Sequence, residues 1–197
     1  MSQAFDLPPY MEGTPDHIIA FDNETTGLVL PKTVPLKGQP HIIEFAAVKL
    51  DFNTLEEVDR MEFLCRPPEL SAITDEIINI TKITPDMVKD LPPFVAHFPK
   101  LQSFFFGVKR MVAHNVGFDR SMLSFELQRI QKIQEFPWPP IHICTVERSY
   151  DIKGHRMKMG ALHEELTGET FEGAHRAMPE VEALVRVIRE LRKQARI

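Results

Sequence analysis

Cysteine is scarce: the 197 residues hold two, Cys65 and Cys144, too few for a disulfide framework or a cysteine-built zinc site. Both are expected as reduced thiols in or near strands. No apolar run approaches the length needed to span a bilayer, so no membrane partner is expected. The opening MSQAFDLPPYMEGTPD carries acids and prolines where a signal peptide has a basic start and an apolar core. The expected location is therefore cytoplasmic. Nor is there an excess of basic residues: 23 Lys and Arg stand against 28 Asp and Glu, a net charge of −5. That argues against a protein that coats nucleic acid through bulk positive charge, though not against an enzyme that grips a few nucleotides. No internal repeat shows in the sequence, and no second domain is expected within it. What remains, 43% hydrophobic and 26% charged residues, suits one domain with a full core.

The most informative stretch is HIIAFDNETTGL, His17 to Leu28. Ile18 to Phe21 form a continuous apolar run, as in a central strand covered on both faces. Asp22 and Glu24 follow two apart, so in strand geometry both carboxylates face the same way at the carboxyl end. Two anions side by side repel unless a cation lies between them, and hard divalent ions accept such ligands. Taken alone, an Asp-x-Glu strand end is more often two solvated acids. Thr25, Thr26 and Gly27 supply a turn with hydroxyls and one residue free to take positive φ.

Residues 1–16 read as a flexible or loosely docked arm, in which Gln3 to Leu7 weakly resembles the peptides that bind a sliding clamp. Residues 17–197 read as a single domain. Val29 to Pro40, rich in proline, reads as an extended loop leaving directly from the acidic pair. His41 to Leu50 and Arg60 to Pro67 read as second and third strands, completing an antiparallel meander. Glu44, inside the second apolar run, fits a hydrogen-bonded structural role better than a ligand role. Helical signals begin after Ser71. Thr84-Pro85 starts one helix, and Phe94 to Phe106 carries a phenylalanine stripe suited to the core, with Pro99 breaking or kinking its first turn. Then come a strand (Arg110 to Ala113), a helix (Gly117 to Lys132), a strand (Ile141 to Cys144), a short helix (Met159 to Thr167) and a closing helix (Pro179 to Arg192). This order implies an α/β fold with a mixed sheet flanked by helices.

Two further stretches bear chemistry. In MVAHNVGFDRSML, Asn115 is placed as a helix cap, and Asp119 lies near the first turn beyond it. In GAHRAMPEVEAL, Pro179 suits the first helical position, Glu180 follows in the first turn, and His175 sits on the chain leading in. Each acid, and the histidine, falls at an element boundary, where sites in α/β sheets form.

Together these stretches resemble the DnaQ-like, or DEDDh, family of 3′-to-5′ exonucleases. FDNETTGL is similar to the family's first motif, HNVGFD to the second and AHRAMPEVEA to the third, in the family's order. The resemblance runs from about His17 to the last helix and includes IIEFAAVKL, ITPDMV and LTGETFEGAH. It implies a ribonuclease H-like fold, a mixed five-stranded sheet of a three-strand antiparallel meander plus parallel strands. It also implies phosphodiester hydrolysis with two divalent metal ions, Mg²⁺ or Mn²⁺. Asp22, Glu24 and Asp119 match the acidic ligands, and Glu180 stands where the last aspartate belongs. His175 matches the general base, a side chain suited to accept a proton near neutral pH. Thr25, Thr26, Leu28, His114, Asn115 and Phe118 fall at positions implied to hold the terminal nucleotide. The implied partners are a single-stranded nucleic acid 3′ end, DNA favoured over RNA, and a DNA polymerase or other replication protein.

The departures are specific. Glu180 lengthens the acidic arm by one methylene, which could shift a metal by about 1 Å and cost about 100-fold in rate. Thr81-Lys82 stands where many relatives have His-Gly, and the loop from Val29 to Pro40 is longer. Lys153, His155, Arg156 and Lys158 form the densest basic cluster, suited to phosphate contact or to plain solvation. Two other functions stay open at this level: an exoribonuclease, since the motifs specify cleavage and not the sugar, and a binding or scaffold subunit weakened through Glu180.

Overall fold

A computed structural model describes residues 11–197. Five strands form one mixed sheet: β1 (His17–Thr25), β2 (Ile42–Asp51), β3 (Glu57–Leu64), β4 (Arg110–Ala113) and β5 (Ile141–Cys144), in the order β3-β2-β1-β4-β5. β1 to β3 are antiparallel neighbours, whereas β4 and β5 run parallel to β1. The expected ribonuclease H-like sheet is therefore present, and its central strand is the one that carries Asp22 and Glu24. The helices are α1 (Asp75–Thr81), α2 (Pro85–Val88), α3 (Phe98–Phe105), α4 (Val116–Arg129), α5 (Thr145–Arg148), α6 (Tyr150–Lys153), α7 (Met159–Thr167) and α8 (Ala177–Lys193).

Alternation along β1 divides the interior into two layers. Ile18 and Ala20 join Val181, Leu184 and Ile188 of α8 in one apolar cluster. Ile19 and Phe21 join Phe105 of α3 and Met122 and Leu123 of α4 in the other. Both faces of β1 are covered, which is why its apolar residues run without a break. α4 and α8 thus approach the carboxyl end of β1 from opposite sides.

Several boundaries differ from the sequence reading. β3 spans Glu57–Leu64 rather than Arg60 to Pro67, because its register with β2 begins earlier, through the exposed residues ahead of Met61, and stops at Leu64. The Phe94 to Phe106 segment is split: a 3₁₀ turn covers Phe94–His97, and the α-helix starts at Phe98 with Pro99 in its first turn, where a missing N–H costs nothing. α4 starts at Val116 and ends at Arg129, short of the expected Lys132, and α8 runs from Ala177 to Lys193. Asn115 precedes α4 as expected, but at φ +73 its side chain makes no capping bond. Helix α1 lies in the stretch that reads as helical after Ser71, where no bounds were expected for it. Its C-terminus is closed by Lys82 at φ +62, the left-handed cap conformation that glycine adopts most readily, with the Lys82 N–H donating to the Ile78 carbonyl.

The expected arm is docked where it is described. Met11 is fully buried, the Thr14 hydroxyl donates to the Gly107 carbonyl at 3.2 Å, and Asp16 pairs with Arg110. The clamp-like stretch from Gln3 to Leu7 lies outside the described residues. Val29 to Pro40 is a pinned loop rather than an extended one. The buried Gln39 amide bonds the Leu30 backbone both ways, at 3.0 and 3.2 Å, and Arg129 Nη2 donates to the carbonyls of Leu36, Gln39 and Pro40. Cys65 and Cys144 are free and buried; Cys65 Sγ donates to the Ile42 carbonyl, and burial pushes its thiol well above the ordinary range. Among the described residues no helix is long and apolar enough to cross a membrane.

Candidate active site

Asp22 and Glu24 leave the same face of β1, the one that α8 covers, and a register shift follows immediately between Glu24 and Thr25. The bulge offsets the pairing, which resumes between Thr25 and Ile42, and bends the strand at the edge of the site. Asn23, between the two acids, faces the other way and is buried. Its backbone N–H donates to Asp119 Oδ1 at 3.2 Å, and its side-chain amide donates to the Asp119 carbonyl at 3.1 Å and to Oδ1 at 3.3 Å. Asn23 thus ties the first turns of α4 to β1 and fixes Asp119, which is 2% exposed, beside Asp22. Sequence reasoning missed this residue; strand alternation, which points it at the α4 face, was the available signal.

Glu180 comes from the opposite helix. It occupies the first turn of α8 as expected, although Pro179 is the third helical residue rather than the first. Glu180 Oε1 accepts the His175 backbone N–H at 3.1 Å. His175 itself sits exposed on the turn ahead of α8, at φ +65. Gly173 in the same turn has φ +81, and a Cβ there would lie 2.9 Å from Pro179, so glycine alone fits.

The acids perturb one another. Burial, and then the charges of Asp119, Glu24, Glu180 and Glu44, hold the Asp22 carboxyl well above the ordinary range. Burial, then Glu44, Glu180 and Asp119, push Glu24 up to about 8. Asp119 rises to about 7 through burial, against the opposing hydrogen bonds of Asn23. Burial raises Glu180 as well. A cluster of oxygen donors that resist joint ionisation is the donor set a hard divalent cation fits. As the side chains stand, among the described residues no three acidic, cysteine or histidine groups close around one ion. Glu180 is turned to the His175 amide and Asp119 to Asn23.

Carboxyls whose folded pKa is raised hold protons that the unfolded chain has already released, so their contribution to stability is complete below about pH 4 and is lost as the pH rises towards 8. Metal-free protein is expected to lose at least ~4 °C of melting temperature between about pH 5 and 8 from this cluster. Added Mg²⁺ or Mn²⁺ should recover most of that loss at pH 8. Scanning calorimetry with and without chelator checks it; a metal-independent melting temperature at pH 8 would count against metal binding by these acids.

The expected nucleotide-holding residues divide into two groups. Around Thr25 to Leu28 the turn is rigid: Thr25 Oγ1 donates to the Gly27 carbonyl at 2.7 Å, Thr26 N–H donates to the His41 carbonyl at 2.8 Å, and His41 N–H donates to Thr26 Oγ1 at 2.9 Å. Leu28 protrudes from it, 77% exposed. On the other side, Phe118 is half-buried against the α4 cluster, and Asn115 Oδ1 accepts from Arg156 at 3.1 Å. His114 is different: its Nδ1 meets Thr145 Oγ1 at 2.9 Å and its Nε2 meets the Met157 carbonyl at 3.0 Å. Both ring nitrogens are engaged within the fold, which makes His114 a tie between β4 and the segment before α7. Arg156, next to Met157 in that segment, reaches Asn115, whereas Lys153 pairs with Glu165 at 2.8 Å.

Comparison with known proteins agrees with this geometry. A family model described as exonuclease, RNase_T, matches residues 19–188. A DNA polymerase III PolC-type of Oceanobacillus iheyensis is 32% identical over 170 residues, which cover 85% of this chain and 11% of that protein. The chain thus corresponds to about a tenth of that relative's length. Among solved structures, a 3′-exonuclease in 3′-end-specific recognition of a histone mRNA stem-loop superposes with TM-score 0.72 at 20% identity, covering 94% of this chain and 67% of that one. Exonuclease X in complex with 5′-overhanging duplex DNA gives TM-score 0.63 at 24% identity, covering 90% and 92%. At those identities the likeness is one of fold. With the family match spanning most of the chain and the acids gathered at one end of the central strand, the chain belongs to the DnaQ-like (DEDDh) 3′-to-5′ exonuclease family of the ribonuclease H-like superfamily.

Proposed function

We propose that this domain is a metal-dependent exonuclease that removes nucleotides from the 3′ end of single-stranded DNA, in proofreading or repair, alongside a DNA polymerase. The observation that carries the reading is the meeting of Asp22, Glu24, Asp119 and Glu180 at the end of β1, perturbed by burial and by one another, with His175 on the adjoining turn. The polymerase context is supported by the PolC-type relative.

Asp22, Glu24, Asp119 and Glu180 would hold the divalent ions, which supply charge stabilisation for the phosphodiester and acidify water. The protein's own part is positional. The pinned turn from Thr25 to Leu28 offers backbone and an exposed leucine against the terminal nucleoside, opposite Asn115 and Phe118. Arg156 stands beside Asn115 within reach of a backbone phosphate. His175 accepts the proton of the attacking water, and its place on an exposed turn lets that proton pass to solvent.

The test is release of mononucleotides from a 3′-labelled single strand, DNA against RNA of one sequence, with Mg²⁺ or Mn²⁺ and with chelator. DNA is expected to be turned over faster, and chelator to abolish release. Equal or faster turnover of RNA would make the enzyme an exoribonuclease. No metal-dependent release above an Asp22→Ala control would leave a binding or scaffold subunit.

A further inference from the structure

Glu44 is a fifth acid at the cluster. It lies directly opposite Glu24 in the β1–β2 pairing and is 1% exposed. Position alone would suit a metal ligand, but its oxygens are already engaged. Arg176 Nε donates to both of them at 3.1 Å, Arg176 Nη2 donates to Oε1 at 2.6 Å, and the Ala177 backbone N–H donates to Oε2 at 2.9 Å.

The partners matter because of where they sit in the chain. Arg176 follows His175, and Ala177 is the first residue of α8. The Arg176 carbonyl accepts the Glu180 N–H at 3.1 Å, and the Glu180 carboxylate accepts the His175 N–H at 3.1 Å. A single buried carboxylate on β2 therefore caps α8 from outside the helix and grips the residue between the candidate base and the candidate ligand. The turn ahead of it contains two left-handed residues, Gly173 and His175, so its path is not dictated by ordinary backbone preference. It is anchored upstream by His163, whose Nδ1 meets the Glu169 carbonyl at 2.8 Å while Nε2 accepts from Arg186 at 2.8 Å. A planar, two-pronged guanidinium–carboxylate contact fixes direction as well as distance, which a single hydrogen bond cannot.

We propose that Glu44 and Arg176 are positioning residues: the pair sets His175 and Glu180 against Asp22 and Glu24, and Glu44 is not itself a metal ligand. The role rests on the exonuclease reading above.

Four proteins decide it: wild type, Glu44→Gln, Arg176→Ala and the double variant, each measured for kcat and KM on a 3′-labelled strand, for Mn²⁺ affinity by calorimetric titration, and for thermal unfolding. Glu44→Gln keeps an oxygen for the Ala177 N–H but loses the charged fork. It should lower kcat by about 10- to 100-fold, with KM and Mn²⁺ affinity each within about threefold of wild type. Arg176→Ala strands a buried carboxylate and should have the lowest melting temperature, and adding Glu44→Gln should recover most of that loss. A drop of tenfold or more in Mn²⁺ affinity for Glu44→Gln would make Glu44 a ligand and overturn the inference. An unchanged kcat in that variant, with wild type active, overturns the positioning role alone. Failure of wild type to release nucleotides overturns the exonuclease reading instead, and the positioning role falls with it.

Discussion

His175→Ala is expected to lower turnover by about 100-fold or more while leaving Mn²⁺ affinity largely intact. The separation follows from how the residue is held. The hydrogen bond from His175 to Glu180 comes from the backbone N–H, at 3.1 Å, so removing the imidazole leaves that bond and the start of α8 in place. The ring is exposed and lies outside both apolar clusters, so little stability should go with it. Steady-state kinetics across about pH 6 to 9 on wild type and variant, paired with a metal titration, measure the two effects independently. Near-normal turnover over that range would mean that the proton leaves by another route and that His175 serves only to shape the turn.

Glu180→Gln should remove most activity with either ion. The structure makes this a clean substitution, since a glutamine carbonyl oxygen can still accept the His175 N–H and the first turn of α8 should survive. What disappears is the negative charge, and a neutral amide cannot balance a divalent cation. Melting temperature is therefore expected within about 2 °C of wild type, against a loss of activity of about 100-fold or more. The shorter acid asks a finer question. Glutamate has one more rotor than the aspartate implied at this place by the family resemblance, and Mg²⁺ demands nearly ideal octahedral geometry. Wild type should accordingly favour Mn²⁺, and Glu180→Asp should shift the Mg²⁺ to Mn²⁺ rate ratio towards Mg²⁺. An unchanged ratio would show that α8 already sits where the longer arm needs it. Full activity of Glu180→Gln would remove Glu180 from the ligand set.

Much of the site was legible because its residues lie where elements change. Asp22 and Glu24 end an apolar run, Asp119 follows a turn into a helix, and Glu180 stands beside a proline that marks a helix start. Those signals depend on neighbouring residues and on local backbone preference, so a linear reading detects them. Pro179 misled by two positions because the first four amides of a helix lack intrahelical partners, and proline is tolerated at any of them. His114 illustrates the opposite case. A histidine next to Asn115 reads as substrate-facing, yet both its nitrogens are satisfied by Thr145 and by the Met157 carbonyl, groups more than 30 residues away that no local pattern discloses.

By itself, then, the sequence determined the three-strand meander, the positions of the candidate acids along the chain and, through its motifs, the family, while the order of all five strands came from the structure. Alternation, capping and motif spacing are short-range properties written residue by residue. The tertiary structure alone decided what holds the acids in place. Asn23 clamping Asp119 across 96 residues, Arg129 fastening the Val29 to Pro40 loop across about 90, and Arg176 meeting Glu44 across 132 are contacts between side chains far apart in the chain. They arise where two layers pack against one sheet, and buried polar groups there must find partners among whatever the fold brings within about 3 Å. Local sequence carries no record of those meetings, because the reason for each lies in the segment on the other side of the contact.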